Sequence, residues 1–347
     1  MEILVTGGMG YIGSHTCVQM LLEGMQPIIL DNLCNSSKEV LIRIEIITGY
    51  RPIFYYGDIR DEKLLDNIFT KHYIKAVIHF AGLKSINESV NKPLEYYDNN
   101  VYGTLMLIRS MYKANIKNII FSSSATVYGN PEKVPITEDF KIGNTKHPYG
   151  RNKYIIERYL SNIQHLDNSW SVTLLRYFNP IGAYPSGIIG EDSHYEPNNL
   201  IPYISQVAIG RKKKLIIFGN DYPTSDGTGI RDYIHVMDVA DGNIMALKSI
   251  SLKPGLHIYN LGSGRGTSVL EILKIFEKIC NKKIAYEIRS RRPGDIAECW
   301  SNPIKAKSDF GWTAKHSIET MLVDTWRWQC KNPYGYKQLL DKFNLNI

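Results

Sequence analysis

Tyr149 and Lys153 stand four residues apart in the run Tyr149-Gly150-Arg151-Asn152-Lys153. Residues four apart on a helix share a face, so this spacing sets an ammonium beside a phenol. A free phenol titrates near pH ~10, too high for a general base at neutral pH. A neighbouring positive charge favours the phenolate and brings it toward the working range. Upstream, Ser122-Ser123-Ser124 closes an apolar run, where a hydroxyl can reach the oxygen that the phenol would deprotonate. With 23 tyrosines in the chain, a Tyr-x-x-x-Lys spacing alone is more often a surface helix pair. The serines, and a glycine fingerprint nearer the start, make Tyr149, Lys153 and Ser124 the candidate catalytic group.

That fingerprint is Gly7-Gly8-Met9-Gly10-Tyr11-Ile12-Gly13, placed directly after a strand-like run and opening a helical one. Glycines also make ordinary turns. At a strand-to-helix junction, Gly7, Gly10 and Gly13 let the backbone approach a pyrophosphate, whose charge the helix N-terminus can hold. A second apolar run ends at Asp31, placed for an adenosine ribose diol, and a third at Asp58, placed for the adenine edge. A carboxylate at Asp31 would repel a 2′-phosphate, and no arginine follows it in Asn32, Leu33, Cys34, Asn35. NAD is therefore expected over NADP.

Positioning these groups takes a sheet. Ile3-Leu4-Val5, Ile28-Ile29-Leu30, Ile53-Phe54-Tyr55, Val77-Ile78-His79-Phe80, Ile119-Ile120-Phe121 and Val172-Thr173-Leu174-Leu175 read as buried strands. Helical patterns fall between them near 12–23, 62–71, 94–114 and 149–165. The alternation predicts an α/β fold: a Rossmann-like parallel sheet with helices on both faces. After about residue 178 the rhythm breaks at Pro180, Pro185, Gly187, Gly190, Pro197 and Pro202. Helices are expected near 200–210, 238–249 and 268–280, and a strand at 232–236. Residues 1–178 would form the dinucleotide-binding domain with a return segment near 232–260, and 179–347 mainly a smaller α/β substrate lobe. No internal repeat or low-complexity segment occurs.

The composition, 44% apolar and 22% charged, is that of a soluble globular protein. The net charge of +7 is modest for 347 residues, and the dense run Arg211-Lys212-Lys213-Lys214 lacks the aromatic interleaving of a nucleic-acid site. The five cysteines form no C-x-x-C pair, so neither a metal site nor a disulfide framework is expected. The start, Met-Glu-Ile-Leu-Val, has no signal-like region, and no apolar run is long enough to span a bilayer. A cytoplasmic protein with no membrane or nucleic-acid partner is the expectation.

The combination of Thr6–Gly13, Asp31-Asn32, Gly57-Asp58, His79-Phe80-Ala81-Gly82, Ser122-Ser123-Ser124, Tyr149…Lys153 and Arg176-Tyr177-Phe178-Asn179-Pro180 resembles the extended short-chain dehydrogenase/reductase superfamily. Within it, Ala81–Ser85, Tyr96–Asn100, Phe218–Thr224, Asp226–Gly229, Arg231–Val236 and Arg292-Pro293-Gly294-Asp295 resemble the UDP-glucose (UDP-galactose) 4-epimerase family, over nearly the whole chain. The resemblance implies a homodimer joined through helices near 94–114 and 152–165, and tightly bound NAD recycled in each turnover. It implies that Tyr149 takes the proton of the sugar 4-hydroxyl, that Ser124 shares that hydrogen bond, and that Lys153 holds the nicotinamide ribose and tunes Tyr149. Tyr11, Ile12, Asn32, Ile59, Phe80, Ala81, Lys84, Asn99 and Tyr177 would complete the NAD site. Arg231 and Arg292 would clamp the UDP-sugar diphosphate and Asp295 would accept from its ribose. Asn179, Asn199, Leu200, Phe218 and Tyr233 would position the nucleotide, with Lys84 also near the substrate.

Cys299 stands where family members restricted to glucose and galactose commonly carry tyrosine. A small residue there goes with acceptance of UDP-GlcNAc and UDP-GalNAc, so a dual-specificity 4-epimerase is expected, with one restricted to UDP-glucose and UDP-galactose as the alternative. Dehydratases of the superfamily carry an Asp-Glu pair after the serine; here Ala125-Thr126-Val127 follows. A dehydrogenase would release NADH, and a non-catalytic sensor of NAD or sugar nucleotides would not need Ser124, Tyr149 and Lys153.

Overall fold

Ile3, Leu4 and Val5 are closed off from solvent in strand β1 (Glu2–Thr6), Ile3 and Val5 in one apolar cluster and Leu4 in another. Successive side chains of a strand point to opposite faces, so an unbroken apolar run belongs to a sheet covered on both sides. The computed structural model, which describes residues 1–192, 199–250, 253–292 and 294–338, contains that sheet. Pro197, Pro293 and the residues after 338 lie outside the described residues.

Along the first half, α1 (Tyr11–Leu22), β2 (Gln26–Asp31), α2 (Glu39–Thr48), β3 (Ile53–Tyr56), α3 (Glu62–Lys71) and β4 (Ile74–His79) follow β1. After α4 (Ile86–Asn91), the helix expected over 94–114 is three pieces: α5 (Pro93–Tyr96), a π-helical segment Tyr97–Tyr102, and α6 (Gly103–Lys113). Strand β5 (Asn118–Ser124), α7 (Pro148–Leu166) and β6 (Ser171–Tyr177) complete this part. The seven strands are all parallel in the order β10-β6-β5-β4-β1-β2-β3, with β10 (Gly255–Leu261) coming from later in the chain. The order reverses between β1 and β4, and the crevice at such a switch point is where ligands bind in open α/β sheets.

The smaller lobe is built around β9 (Ile230–His235), which pairs with β7 (Asn179–Ile181), β11 (Gly266–Ser268) and β13 (Glu298–Cys299). The segment that returns to the large sheet therefore does not include the strand at 232. It consists of α9 (Val236–Ile250), packed against α1, and β10. Strands β8 (Leu215–Phe218) and β12 (Tyr286–Arg289) form a separate pair. Helices α8 (Leu200–Ala208), α10 (Val269–Cys280) and α12 (Ile318–Lys331) enclose the lobe's own core, and α11 (Ile304–Phe310) lies against α9 and β10. Ser268 starts α10 with a reciprocal capping box to Glu271. No helix among the described residues is long and apolar enough to cross a membrane, and no group of potential metal ligands occurs among them.

Candidate functional site

The glycines after β1 are required by space as well as by turn geometry. Gly7 has φ +71°, and a Cβ on it would fall 2.6 Å from the Ala81 nitrogen. A Cβ on Gly13 would fall 2.3 Å from the Gly7 carbonyl oxygen. Helix α1 starts at Gly10 with no side-chain cap, so its first amide groups point into the crevice without an internal partner. This is a cradle of bare backbone at the switch point, and it fits a pyrophosphate. His79 ties its floor together, bonding Thr6 Oγ1 at 2.7 Å and Thr104 Oγ1 at 2.9 Å. Burial pushes this imidazole down to about 3, so it is a neutral strut. Asn100, in the π-helical segment, accepts from the Leu83 amide (2.7 Å) and donates to its carbonyl (3.0 Å), fixing the loop that carries Phe80, Ala81 and Lys84. Asn99 donates to Asn100 (2.9 Å), and π segments recur at functional sites.

At the β2–β3 end, the Asp31 carboxylate accepts from the Met9 amide (3.0 Å), the Leu33 amide (2.9 Å) and the Ser36 hydroxyl (2.9 Å). A carboxylate offers about four acceptor positions, so those bonds leave room for one ribose hydroxyl rather than for a whole diol. Asn32 donates to Asp58 (2.8 Å). Asp58 is gripped by both ends of the Arg60 guanidinium at 2.8 Å, and this hydrogen-bonded pairing holds its carboxyl down to about 2. Arg60 was invisible as a site residue in the sequence, and it occupies much of the capacity assigned to Asp58.

Helix α7 begins where Pro148 takes the first turn and His147 Nδ1 accepts from the Gly150 amide (3.0 Å). The start of the helix thus fixes Tyr149, whose ring stacks on His147 with centroids 6.2 Å apart. Lys153 is 6% exposed; its ammonium donates to the Ser122 carbonyl (2.5 Å) and lies 6.0 Å from the Tyr149 ring centroid. Ser124 shares a hydrogen bond with Tyr149 and accepts from the Thr126 amide (3.2 Å). The structure thus gathers Ser124, Tyr149 and Lys153 at the end of β5.

The electrostatics differ from the expectation. Burial raises the Tyr149 phenol, and only the Ser124 hydrogen bond opposes it. The Lys153 ammonium donates to the Ser122 carbonyl rather than to the phenol. Burial brings Lys153 itself down to about 8, partly offset by Glu157.

Several of the expected residues are buried or engaged by protein partners. The Tyr177 hydroxyl donates to Asn243 (2.9 Å), and the ring is buried. Ile59 is buried in the cluster beneath α3 and α6, and Tyr233 is 6% exposed in the core of the smaller lobe, its phenol pushed up to about 12 by burial. Tyr11 donates to the Gly182 carbonyl (2.7 Å), and Lys84 pairs with Glu191 (2.8 Å).

On the substrate-lobe side, Arg231 bonds only backbone carbonyls, at Ile230 (2.8 Å) and Ala297 (3.4 Å), and no carboxylate among the described residues pairs with it. Asp232 beside it is fully buried and collects Ser263, Gly264 and Ser301 donors, which anchors β9. Arg292 pairs with Asp295 (2.9 Å), its guanidinium 4.9 Å from the Phe218 ring centroid. Asn179 is exposed opposite Tyr233, and Asn199 and Leu200 open α8. Cys299 stands in register with Arg231 and packs on the cluster of Ala125, Val127 and Phe178 that flanks Ser124. Burial pushes its thiol up to about 11, so it is a neutral, small wall residue and no nucleophile.

A profile described as the NAD dependent epimerase/dehydratase family matches residues 3–262. The chain is 56% identical over 336 residues to a UDP-glucose 4-epimerase of Yersinia pestis, covering 97% of this chain and 99% of that one. It is 55% identical over 337 residues to a UDP-glucose 4-epimerase of Bacillus subtilis, again covering 97% and 99%. Its fold superposes on a crystal structure of the Bifidobacterium longum UDP-glucose 4-epimerase in complex with NAD+ and UDP, with a TM-score of 0.94, 50% identity, and coverage of 96% and 100%.

Proposed function

The chain belongs to the NAD dependent epimerase/dehydratase family, and from that premise we propose that it interconverts UDP-glucose and UDP-galactose by inverting C4 of the sugar. The observation that carries this reading is the grouping of Ser124, Tyr149 and Lys153 at the end of β5, beside a backbone cradle shaped for a dinucleotide. When bound, NAD would supply a reversible two-electron acceptor for the hydrogen of C4. Gly7, Gly13 and the open start of α1 would hold its pyrophosphate, and Asp31 a ribose hydroxyl.

Within this scheme Tyr149 removes the proton of the 4-hydroxyl and later returns it. Ser124 holds the same oxygen in line. Lys153 supplies positive charge at the end of β5, which favours the phenolate against the burial that raises the phenol. The ketone formed at C4 must turn over without leaving, so the non-reacting nucleotide has to provide the binding energy. Arg231, with no acidic partner among the described residues, is disposed to take the diphosphate; Arg292 would join it by exchanging Asp295 for phosphate, releasing Asp295 to the ribose. The test is to incubate the purified protein with UDP-galactose and analyse the sugars. UDP-glucose is the expected product, and an unchanged sugar rejects the reading.

We propose that the site also takes a larger C2 substituent. Cys299 is a short side chain at the seam between Arg231 and the Ser124 turn. The space that a phenol ring would fill there is left for an acetamido group during rotation, so UDP-GlcNAc and UDP-GalNAc are proposed as further substrates. Cys299→Tyr is expected to reduce turnover of UDP-GalNAc by about tenfold or more while sparing UDP-galactose. Equal loss on both sugars, or wild-type inactivity on UDP-GalNAc, would remove Cys299 as the determinant. A homodimer is proposed as well, with exposed Leu94, Tyr102 and Tyr112 around α5 and α6 available to it; equilibrium sedimentation at the monomer mass would refute it.

A further inference from the structure

Three parts of the large domain take hold of one strap that leads into the smaller lobe. The strap is residues 182–192, directly after β7. From the first residue of α1, the Tyr11 hydroxyl donates to the Gly182 carbonyl at 2.7 Å. From α2, the buried Arg43 donates to the Ile188 carbonyl at 2.7 Å. From the loop after β4, the Lys84 ammonium donates to the Glu191 carboxylate at 2.8 Å. Ala183 and Ile189 are fully buried, in one cluster with Val18 of α1 and with Val40 and Leu41 of α2. The far side of the strap is fixed as firmly. The Asn332 side-chain amide donates to the Gly187 carbonyl (3.0 Å). The Tyr336 hydroxyl donates to the Gly190 carbonyl (3.0 Å) and accepts from the Gly190 amide (3.2 Å). Trp328 Nε1 donates to the Glu191 carbonyl (3.2 Å). The backbone of Glu191 therefore has a set place, and its side chain is only 15% exposed.

Lys84 is the opposite case. Its side chain is 45% exposed, on a flexible stem that is free to turn in water. Glu191 gives the ammonium one place, and that place adjoins the glycine cradle. The ammonium lies 5.9 Å from the ring centroid of Tyr11, which follows Gly10 at the open start of α1. The loop that carries Lys84 borders the Gly7 turn, where a Cβ would fall 2.6 Å from the Ala81 nitrogen. We propose that Glu191 is a positioning residue of the cofactor site: held by the strap, it fixes the Lys84 ammonium at the mouth of the cradle, and release of NAD requires this pair to open. The inference rests on the reading of the cradle as the NAD site. A cation fixed in advance binds an anionic ligand at lower ordering cost. The ion pair is thus a clasp between the strap and the loop after β4, and its work is retention of the cofactor rather than chemistry at C4.

The experiment loads the purified protein with isotope-labelled NAD and follows its release during a chase with excess unlabelled NAD. Glu191→Gln keeps the shape of the side chain and removes its charge. Release should quicken about fivefold, the scale of a half-exposed ion pair. Lys84→Met should quicken release at least as much. Glu191→Gln added to Lys84→Met should then change the rate by less than about twofold, because the glutamate acts through the lysine. Wild-type release from Glu191→Gln, or from Lys84→Met, would overturn the proposal. Equal acceleration by Glu191→Gln with and without Lys84 would overturn it too, since a purely structural strap contact behaves that way. Where Glu191→Gln does not fold, Glu191→Asp decides, because it withdraws the carboxylate by one methylene. Faster release then supports the clasp, and unchanged release overturns it. A wild type that retains NAD but epimerises no UDP-hexose would reject the proposed function, while the release rates would still judge Glu191.

Discussion

Tyr149→Phe should lower epimerisation of UDP-galactose about a thousandfold while leaving the fold and the retained NAD unchanged. The variant keeps the ring that stacks on His147 and removes only the hydroxyl. Neither neighbour can replace that hydroxyl as a base. The Ser124 hydroxyl already accepts from the Thr126 amide, and the Lys153 ammonium is committed to the Ser122 carbonyl. The chemistry therefore loses its proton acceptor without losing its scaffold. Steady-state rates, bound NAD released by denaturation, and thermal melts of the two proteins check this together. A variant with more than about a tenth of the wild-type rate would place the proton acceptor elsewhere.

Gly13→Ala should abolish stable retention of NAD, with affinity falling about a hundredfold. A Cβ there would meet the Gly7 carbonyl oxygen at 2.3 Å and the Gly8 Cα at 2.8 Å, both of them backbone atoms. Neither atom can swing aside as a side-chain tip would, so α1 must back away from the loop that forms the cradle. Overpacking of this kind costs about 1–3 kcal/mol of stability as well. Gly10→Ala is the internal control, since its Cβ would meet the Gly7 oxygen only at 3.3 Å, a contact that small adjustments relieve. Gel filtration followed by assay of the NAD that co-elutes should rank wild type first, Gly10→Ala next and Gly13→Ala last. Equal retention by Gly13→Ala and wild type would contradict the cradle.

The scaffold was legible because its signals are local. Unbroken apolar runs such as Ile3-Leu4-Val5 require a sheet with two covered faces, and the helices between them follow from the same rhythm. The glycine cradle was legible too, since strand, glycines and helix are contiguous. What escaped depends on partners distant in sequence. Arg60 reaches Asp98, Asn100 ties down Leu83, and Arg176 meets Glu157; no spacing rule links these residues. The π-helical turn at Tyr97–Tyr102 also left no mark, because it changes the hydrogen-bond register without changing the apolar pattern. Tyr177 and Tyr233 show the converse difficulty. Each sits on a strand near a motif, but the register turns their rings into a core, and one residue of offset decides which face a strand side chain takes.

Charge was the least legible property. The Tyr149–Lys153 spacing suggested that the lysine lowers the phenol, whereas burial governs both groups in the chain alone.

The central claim is a reversible oxidation confined to one carbon, and UDP-galactose carrying deuterium at C4 tests it most directly. The purified protein, incubated with this sugar in ordinary water, should yield UDP-glucose with the deuterium still at C4 and no NADH released to the medium. UDP-glucose that has lost its deuterium to solvent, or UDP-galactose recovered with its configuration untouched, would contradict the account.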